Sequence, residues 1–375
     1  MERVRFGVIG VGAGVFKMHR PALQSERVEI VGVSDVNLEA AERQAESLGC
    51  PAFADHREML AAAGPEAVCV LAPHPFHAAL TLDSLAAGAH VLVEKPMAVH
   101  VAEADQMIEA AERAGRLLAV NLQHRTRAEI RTADKLIQSG RLGDIQRVAM
   151  TAIWTRTASY YAQAGWRGTW QGEGGGVLMN QSPHSLDLVC HLVGQPGRVV
   201  AWNRTLFHAI ETEDTSLAML EWPNDALGTL LVSTAQAGDP ERLEIAGTRG
   251  ILQLTRGGLR LLEADTDLHA FLAESSDPFG TPSLEPARVA LVPGTGDHAA
   301  IYANFLDAIQ HRAQLVADGE EGRMSLELAN ALIYSSHTDQ HVSLPLDRAA
   351  YAALLDGLRA GAGARPAPNS ASSLA

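Results

Sequence analysis

The stretch "VRFGVIGVGAGVFKMH", Val4 to His19, decides the fold: an apolar strand pattern runs into three glycines and then into the start of a helix. Gly10, Gly12 and Gly14 stand where the chain must turn tightly, and their bare backbone lets N–H groups approach a diphosphate at the helix N-terminus. The spacing is G-x-G-x-G, with Val15 in the third position of the dinucleotide fingerprint G-x-G-x-x-G. Asp35 ends the next apolar run, "VEIVGVSD", where a carboxylate can accept hydrogen bonds from ribose hydroxyls. For a nicotinamide cofactor that acid disfavours a 2′-phosphate, so NAD is expected over NADP. The same features also fit an S-adenosylmethionine-dependent methyltransferase, and a purely structural turn is a third reading.

Outward from this stretch, the apolar runs "AVCVLA", "HVLVEK" and "RLLAVN" follow at the spacing of β-α-β crossovers. Between them, Pro75 to Ala87 and Val99 to Ala114 carry apolar residues at three-and-four spacing, with Gly88 and Gly115 at their C-terminal ends. A doubly wound parallel sheet is therefore expected over residues 1–122. After a helical stretch from Arg125 to Ser139 the texture changes. "DIQRVAMTAIW", "TSLAMLEW", "ALGTLLVST" and "ERLEIAG" alternate apolar and polar residues, and "EWPNDALG" reads as a hairpin connection. Residues 123–358 are thus expected to form an α+β domain with a predominantly antiparallel open sheet, making the whole chain α/β. Ala299 to Ala317 and Ser325 to Ser336 return to helical periodicity. Residues 359–375 hold too little large apolar side chain to order themselves and are expected to be a disordered tail.

Composition narrows the partners. With 47% hydrophobic residues the chain can bury substantial cores, and its formal charge of −14, with basic residues scattered, argues against nucleic acid or an anionic membrane. A small molecule is the expected partner. Cys50, Cys69 and Cys190 match neither a disulfide framework nor a zinc site, which fits a reducing cytoplasm. No signal segment or membrane span is apparent.

"HVLVEKPMAV" places Glu94 and Lys95 at the C-terminal end of a buried strand, the edge at which open α/β sheets bind ligands. A lysine there can hydrogen-bond a substrate hydroxyl and stabilise developing charge, or simply pair with Glu94 in solvent. Further on, "GEGGGVLMNQSPHSLDL", Gly172 to Leu188, brings His184 and Asp187 to the first turn of a helix after a glycine run. His184 reads either as a base delivered to a cleft or as a satisfied structural histidine. Asp187, three residues on, shares its helix face and can orient the imidazole, bind substrate, or only complement the helix dipole. His191 reads as core or surface. A metal site at His74 and His77 is not expected, because no acidic or cysteine ligand accompanies them.

The combination of "GVIGVGAGVFKMH", "LAPHPFH", "VEKP", "GWRGTWQGEGGGVLMNQSPHSLDL" and "GEEGRMSLELANALIYSS" resembles the Gfo/Idh/MocA oxidoreductases. The resemblance spans nearly the whole chain. It implies a Rossmann domain followed by a predominantly antiparallel sheet, with sugar or cyclitol chemistry at the junction. It also implies that Lys95 and His184 flank the nicotinamide. Asn180 stands where the family often carries an Asp; it cannot exchange a proton but can orient a hydroxyl. The cofactor contacts expected from motif and resemblance together are Gly10, Gly12, Ala13, Gly14, Val15, Asp35, Ala72, Pro73, His77, Glu94, Lys95, Asn121, Trp166 and Arg167. His74 replaces an Asn usual in the family.

The sequence therefore reads as an NAD-dependent dehydrogenase acting on a secondary alcohol of a sugar, sugar derivative or cyclitol. Lys95, His184, Asn180 and Asp187 are the candidate catalytic set, and a homodimer or homotetramer is expected. Two rivals stay open: a lyase, epimerase or glycosidase that retains NAD with no net redox, and a ligand sensor on the same scaffold.

Overall fold

The computed structural model describes residues 3–238 and 241–361. Its first sheet contains β1 (Val4–Ile9), β2 (Val28–Ser34), β3 (Ala52–Phe53), β4 (Ala67–Val70), β5 (His90–Val93) and β6 (Leu118–Val120). All neighbouring pairs are parallel, in the order β3-β2-β1-β4-β5-β6. Every residue of β4 is buried, as expected for a strand covered on both faces. The crossover helices carry their own start and stop signals. Asn37 and Asp55 cap the helices Leu38–Leu48 and His56–Ala63 through their side chains, and Gly49, Gly64 and Gly115 end helices in the left-handed region.

The chain crosses from β1 to β2 on one side and to β4 on the other, which opens a crevice at the strands' C-terminal ends. Gly10 sits there with φ of 90°, and a Cβ on it would come within 2.7 Å of the Ala72 backbone nitrogen. Two loops meet at that point, and only glycine allows both the conformation and the approach.

The second sheet contains β7 (Ile145–Ile153), β8 (Arg198–Arg204), β9 (Thr215–Glu221), β10 (Leu227–Ser233), β11 (Glu241–Gly247), β12 (Gly250–Thr255), β13 (Gly258–Ala264), β14 (Leu284–Ala287) and β15 (Val342–Ser343). Their order is β14-β13-β12-β11-β7-β10-β9-β8-β15. The β7–β10 pair is parallel and the others are antiparallel, so the sheet is mixed but mostly antiparallel. β9 and β10 are joined at Trp222–Ala226, where the sequence indicated a hairpin. The inner face packs on the helices Pro183–Val193 and Gly319–Thr338, while the outer face exposes Trp202, Leu217, Met219 and Leu227.

Several sequence-based boundaries move. The helix expected at Pro75–Ala87 runs over His77–Ala86 after a 3-10 turn at His74–Phe76, and the one expected from Arg125 begins at Ala128. The helix expected at Ala299–Ala317 ends at His311. That expected from Ser325 begins at Gly319, because Asp318 and Glu321 form a capping box six residues earlier. The tail assignment is corrected at its start: Arg359 ends the helix Arg348–Arg359, whose buried Tyr351, Leu355 and Leu358 anchor it to the core. Residues 362–375 lie outside the described residues.

The helix His298–His311 crosses back to the first sheet. Its Ile301, Tyr302, Phe305 and Leu306 complete a core with Phe6, Phe16 and Val33. The second half of the chain thus supplies part of the wall of the crevice. Among the described residues, no helix is long and apolar enough to cross a membrane.

Candidate active site

The glycine loop is held by the acid that ends β2. The Gly12 backbone N–H donates to Asp35 Oδ2 at 2.7 Å, and the Asn37 N–H donates to Oδ1 at 2.9 Å. A Cβ at Gly12 would strike that carboxylate, at 2.8 Å, whereas one at Gly14 would meet open space. Ala13 closes the turn by donating to the Gly10 carbonyl, and Val15 precedes the helix Phe16–Leu23 as its N-cap residue. Across the crevice, Ala72 and Pro73 follow β4. The His77 ring lies with Nε2 2.6 Å from the Ala72 carbonyl and Nδ1 2.7 Å from the Pro96 carbonyl, pinning that loop to the Glu94–Pro96 turn. This cradle of closely approached backbone, beside an acid at the end of β2, fits a dinucleotide: Gly10–Gly14 would hold the diphosphate and Asp35 the adenosine ribose.

Glu94 is buried and fully engaged. It accepts from the Lys95 backbone N–H at 3.1 Å, from Asn121 Nδ2, and from His19 Nε2 at 2.9 Å. Tyr302 donates its hydroxyl proton to Cys69 Sγ at 2.9 Å, so its oxygen accepts from His19 Nδ1 at 3.0 Å. Both ring nitrogens of His19 are thereby donors, which describes an imidazolium. Burial opposes that charge, but hydrogen bonds to Cys69 and Glu94 raise the His19 pKa to about 10. Burial likewise opposes ionised Glu94, and His19 overrides it, bringing the carboxyl down to about 2. His298 lies 3.9 Å from the same carboxylate. His19, Glu94 and His298 offer ligand atoms within 4.8 Å of one another, and His19 and Glu94 form a close ion pair within that group.

Lys95 projects from this anchored turn, and its Nζ donates to the Asn180 carbonyl at 2.9 Å. Burial holds its amine below the usual lysine range, while the nearby Glu94 and Glu173 carboxyls act in the opposite sense. Asn180 therefore meets Lys95 through its backbone, and its side-chain amide donates to Glu173. Glu173 also accepts from the Gly168 N–H, and burial raises its pKa above the ordinary carboxylate range.

His184 is the second residue of the helix Pro183–Val193 and lies near enough to Lys95 for the two to act on each other electrostatically. Its ring stacks on His124 with centroids 4.1 Å apart and planes 23° apart, and its Nδ1 is buried with no hydrogen-bond partner among the described residues. Burial, with His124, Lys95 and His298 as cationic or potentially cationic neighbours, pushes its pKa well below 6.5. The imidazole is neutral at neutral pH and able to take a proton. His124 and His298 are pushed down to about 3 and about 4, again mainly by burial.

Asp187 is placed differently from the sequence expectation. Its buried carboxylate accepts from Arg125 Nε at 3.0 Å and Nη2 at 2.6 Å, and Arg125 Nη1 continues to the Val316 carbonyl and Glu321, each at 3.0 Å. This corrects its candidate catalytic role. Its oxygens bond a bidentate guanidinium, the residue is fully buried, and among the described residues it makes no hydrogen bond to the His184 imidazole. It clamps the 3-10 turn Gln123–Thr126 that presents His124. His191 is half-buried, and burial lowers its pKa.

The loop between β7 and the glycine run forms the roof. Trp166 meets the His74 ring edge-on at 6.5 Å, and His74 Nδ1 lies 3.5 Å from the Glu173 carbonyl. The Arg167 guanidinium sits 4.2 Å from the Tyr160 ring centroid and 4.7 Å from that of Trp166. Tyr160 accepts from Arg167 and, at 3.2 Å, from Gln181 Nε2, tying the roof to the residue after Asn180.

Glu173, His19, His124, His298, Tyr302 and Arg156 were not singled out by the sequence reading. His19 and Glu173 lie inside the quoted motifs, four residues after Val15 and directly before the triple glycine. His124, His298 and Tyr302 carry no local pattern, since distant turns and helices bring them in.

Comparison with known proteins agrees with this architecture. Residues 4–122 match the family described as "Oxidoreductase family, NAD-binding Rossmann fold", and residues 130–253 match the "GFO/IDH/MocA C-terminal domain". D-glucoside 3-dehydrogenase of Escherichia coli (strain K12) is 26% identical over 91% of this chain and 97% of its own length. The WlbA dehydrogenase from Bordetella pertussis, solved in complex with NADH and UDP-GlcNAcA, is 30% identical with a TM-score of 0.79, covering 92% of this chain and 100% of that one. A levoglucosan dehydrogenase solved with NADH shares the fold at 21% identity and a TM-score of 0.78, over 92% of this chain and 100% of that one. With both halves matched in order, the chain belongs to the Gfo/Idh/MocA oxidoreductase family.

Proposed function

We propose that the protein is an NAD-dependent dehydrogenase that oxidises a secondary hydroxyl of a sugar, sugar derivative or cyclitol, or reduces the corresponding ketone. The observation that carries this reading is that Lys95 and His184, far apart in sequence, lie near enough to act on each other electrostatically, with the lysine amine bonded to the Asn180 carbonyl four residues before His184.

Neutral His184 removes the hydroxyl proton, and Lys95 hydrogen-bonds the same oxygen and stabilises the charge that develops on it. Glu94, locked by His19 and Asn121, fixes the turn carrying Lys95, while Glu173 accepts from the Asn180 amide and fixes its orientation. A nicotinamide held by the glycine cradle would supply the hydride acceptor. Trp166 and Tyr160, half-buried in the loop ahead of the glycine run, would limit water around a bound substrate. Asp35 supports NAD over NADP, because a 2′-phosphate would lie against its carboxylate. The apolar outer face of the second sheet supports association into a homodimer or homotetramer.

The test is steady-state appearance of NADH absorbance with a panel of sugars and cyclitols, followed by chromatography of the products. Accumulating NADH with a stoichiometric ketone supports the reading. Product formation without NADH release would favour an NAD-retaining lyase or epimerase, and tight sugar binding without turnover would favour a sensor.

A further inference from the structure

The triple glycine Gly174–Gly176 is closely packed. Gly174 takes φ of 72°, a Cβ on Gly175 would stand 2.5 Å from Met179 Cγ, and one on Gly176 would overlap the Glu213 carbonyl oxygen. Such approaches are open only to glycine. The run is a tight mount for the single helical turn Val177–Asn180 that follows it, and Glu213 is what it is mounted on.

Glu213 is buried just before β9 and grips this turn three times. Its Oε1 accepts from the Gly176 N–H at 2.9 Å and the Leu178 N–H at 3.1 Å, and its own carbonyl accepts from the Val177 N–H at 2.9 Å. The Val177 and Leu178 N–H groups open the turn and have no partner within it, and Gly176, at the N-cap, has no side chain to offer them. Glu213 thus supplies from a distant segment the cap that the local sequence lacks. That segment is itself fixed: Glu211 and Thr212 donate their backbone N–H groups to the Gly168 carbonyl at 2.9 and 3.2 Å, and the Asp214 N–H donates to the Arg204 carbonyl at 3.0 Å.

At the other end of the turn the Asn180 N–H donates to the Gly176 carbonyl at 3.0 Å, and the Asn180 carbonyl receives Lys95 Nζ at 2.9 Å. Glu173 holds only the Asn180 side chain, so moving Gly176 moves the lysine's acceptor. The other carboxyl oxygen of Glu213, Oε2, is buried with no hydrogen-bond partner, and the residue takes part in no ion pair among the described residues. Burial raises its pKa to about 7, and the Glu173 carboxyl adds to this against the N–H groups that it accepts from. Tyr351, from the helix Arg348–Arg359, is a further ionisable neighbour. A proton on Oε2 leaves Oε1 an acceptor for both N–H groups, so the grip does not need the charge.

We propose that Glu213 is a positioning residue of this site: it caps the turn Val177–Asn180 and so fixes the carbonyl that orients the Lys95 amine. It acts through Asn180 and not on the substrate. The consequence for turnover rests on the dehydrogenase reading; the hold on the turn and on the amine does not.

The test compares the full chain with Glu213→Ala and Glu213→Gln. Two readouts need no turnover: hydrogen exchange, by mass spectrometry, of peptides covering residues 174–182, and the rate at which acetic anhydride labels the Lys95 amine. In the Ala variant that segment should exchange faster while peptides of β4 and β10 stay as slow as before, and Lys95 should label faster as its acceptor moves away. With a sugar that the unaltered protein oxidises, kcat should fall about tenfold to a hundredfold with the KM for NAD unchanged, the size expected for a displaced catalytic group. Gln keeps the accepting oxygen and should restore slow exchange, slow labelling and most of kcat. Should the Ala variant not fold, Glu213→Asp takes its place, since a side chain one methylene shorter cannot reach both N–H groups. Unchanged exchange and labelling in Ala, an altered turn with kcat untouched, or a Gln variant as impaired as Ala would each overturn the proposal. So would faster exchange spread evenly over all peptides, which is a general loss of stability. Local changes in exchange and labelling in a protein that oxidises no sugar leave the role of Glu213 standing and remove the dehydrogenase reading. Sugar oxidation that is the same with Glu and Ala does the reverse.

Discussion

The rings of His124 and His184 stack face to face, 4.1 Å apart, near enough to Lys95 to feel its charge. Burial is the first cause of the low pKa of His184, and His124 covers one face of the ring. Oxidation needs neutral His184, so its acid limb should lie below pH 6.5. Replacing His124 with Ala admits water to that face, and the limb should move up toward 6.5 as kcat falls. A kcat–pH profile of both proteins checks this, and an unmoved limb would show that the stack does not tune the base.

Lys95→Met keeps the length of the side chain but removes the donor. The expected loss in kcat is about 10²- to 10⁴-fold, the range for a positioned proton-transfer or charge-stabilising group. Initial rates alongside NADH binding by fluorescence separate a chemical role from a cofactor contact.

Asp187→Asn breaks the buried Arg125–Asp187 pair and leaves Glu321 as the remaining carboxylate on Arg125. Losing one partner of a buried pair is destabilising by up to about 3–5 kcal/mol, which should appear as a lower urea midpoint. If Asp187 instead touched substrate, the variant would keep its midpoint and lose affinity.

Asp35→Ser removes the negative charge at the end of β2 and the Gly12 acceptor at 2.7 Å. The ratio of kcat/KM for NAD over NADP should fall, chiefly through weaker NAD binding. Steady-state kinetics with both cofactors read it directly.

Stability should also depend on pH with a definite sign. His124 and His298 have folded pKa values of about 3 and about 4 against 6.5 unfolded, so the unfolded chain binds more protons below 6.5. Each group removes up to ~1.4 kcal/mol per pH unit as pH falls from 6.5 toward 4. The His19–Glu94 pair behaves differently: His19 loses its contribution as pH rises through about 10, and Glu94 loses its own as pH falls through about 2. Urea midpoints at pH 7.5 and 4.5 should therefore differ, and His298→Gln should narrow the difference.

Much of this molecule was legible along the chain. The glycine spacing, the acid ending β2 and the lysine ending β5 are local consequences of strand, turn and helix starts. Alternation of apolar and polar residues announced β7, β9, β10 and β11 because those strands bury one face. β8, β12 and β13 were not picked out, and β14 and β15, at four and two residues, are too short to show a period. The start of the helix at Gly319 depended on its capping box rather than its apolar stripe.

Sequence by itself determined which residues could carry chemistry and the order of the two sheets, since period, turn chemistry and motif spacing are properties of neighbouring residues. Tertiary structure alone decided that His124 stacks on His184, that His19 and Tyr302 charge and lock Glu94, and that Asp187 belongs to Arg125. Those partners lie 60 to 283 positions apart and meet because buried charges and unpaired donors must find complements wherever packing brings them.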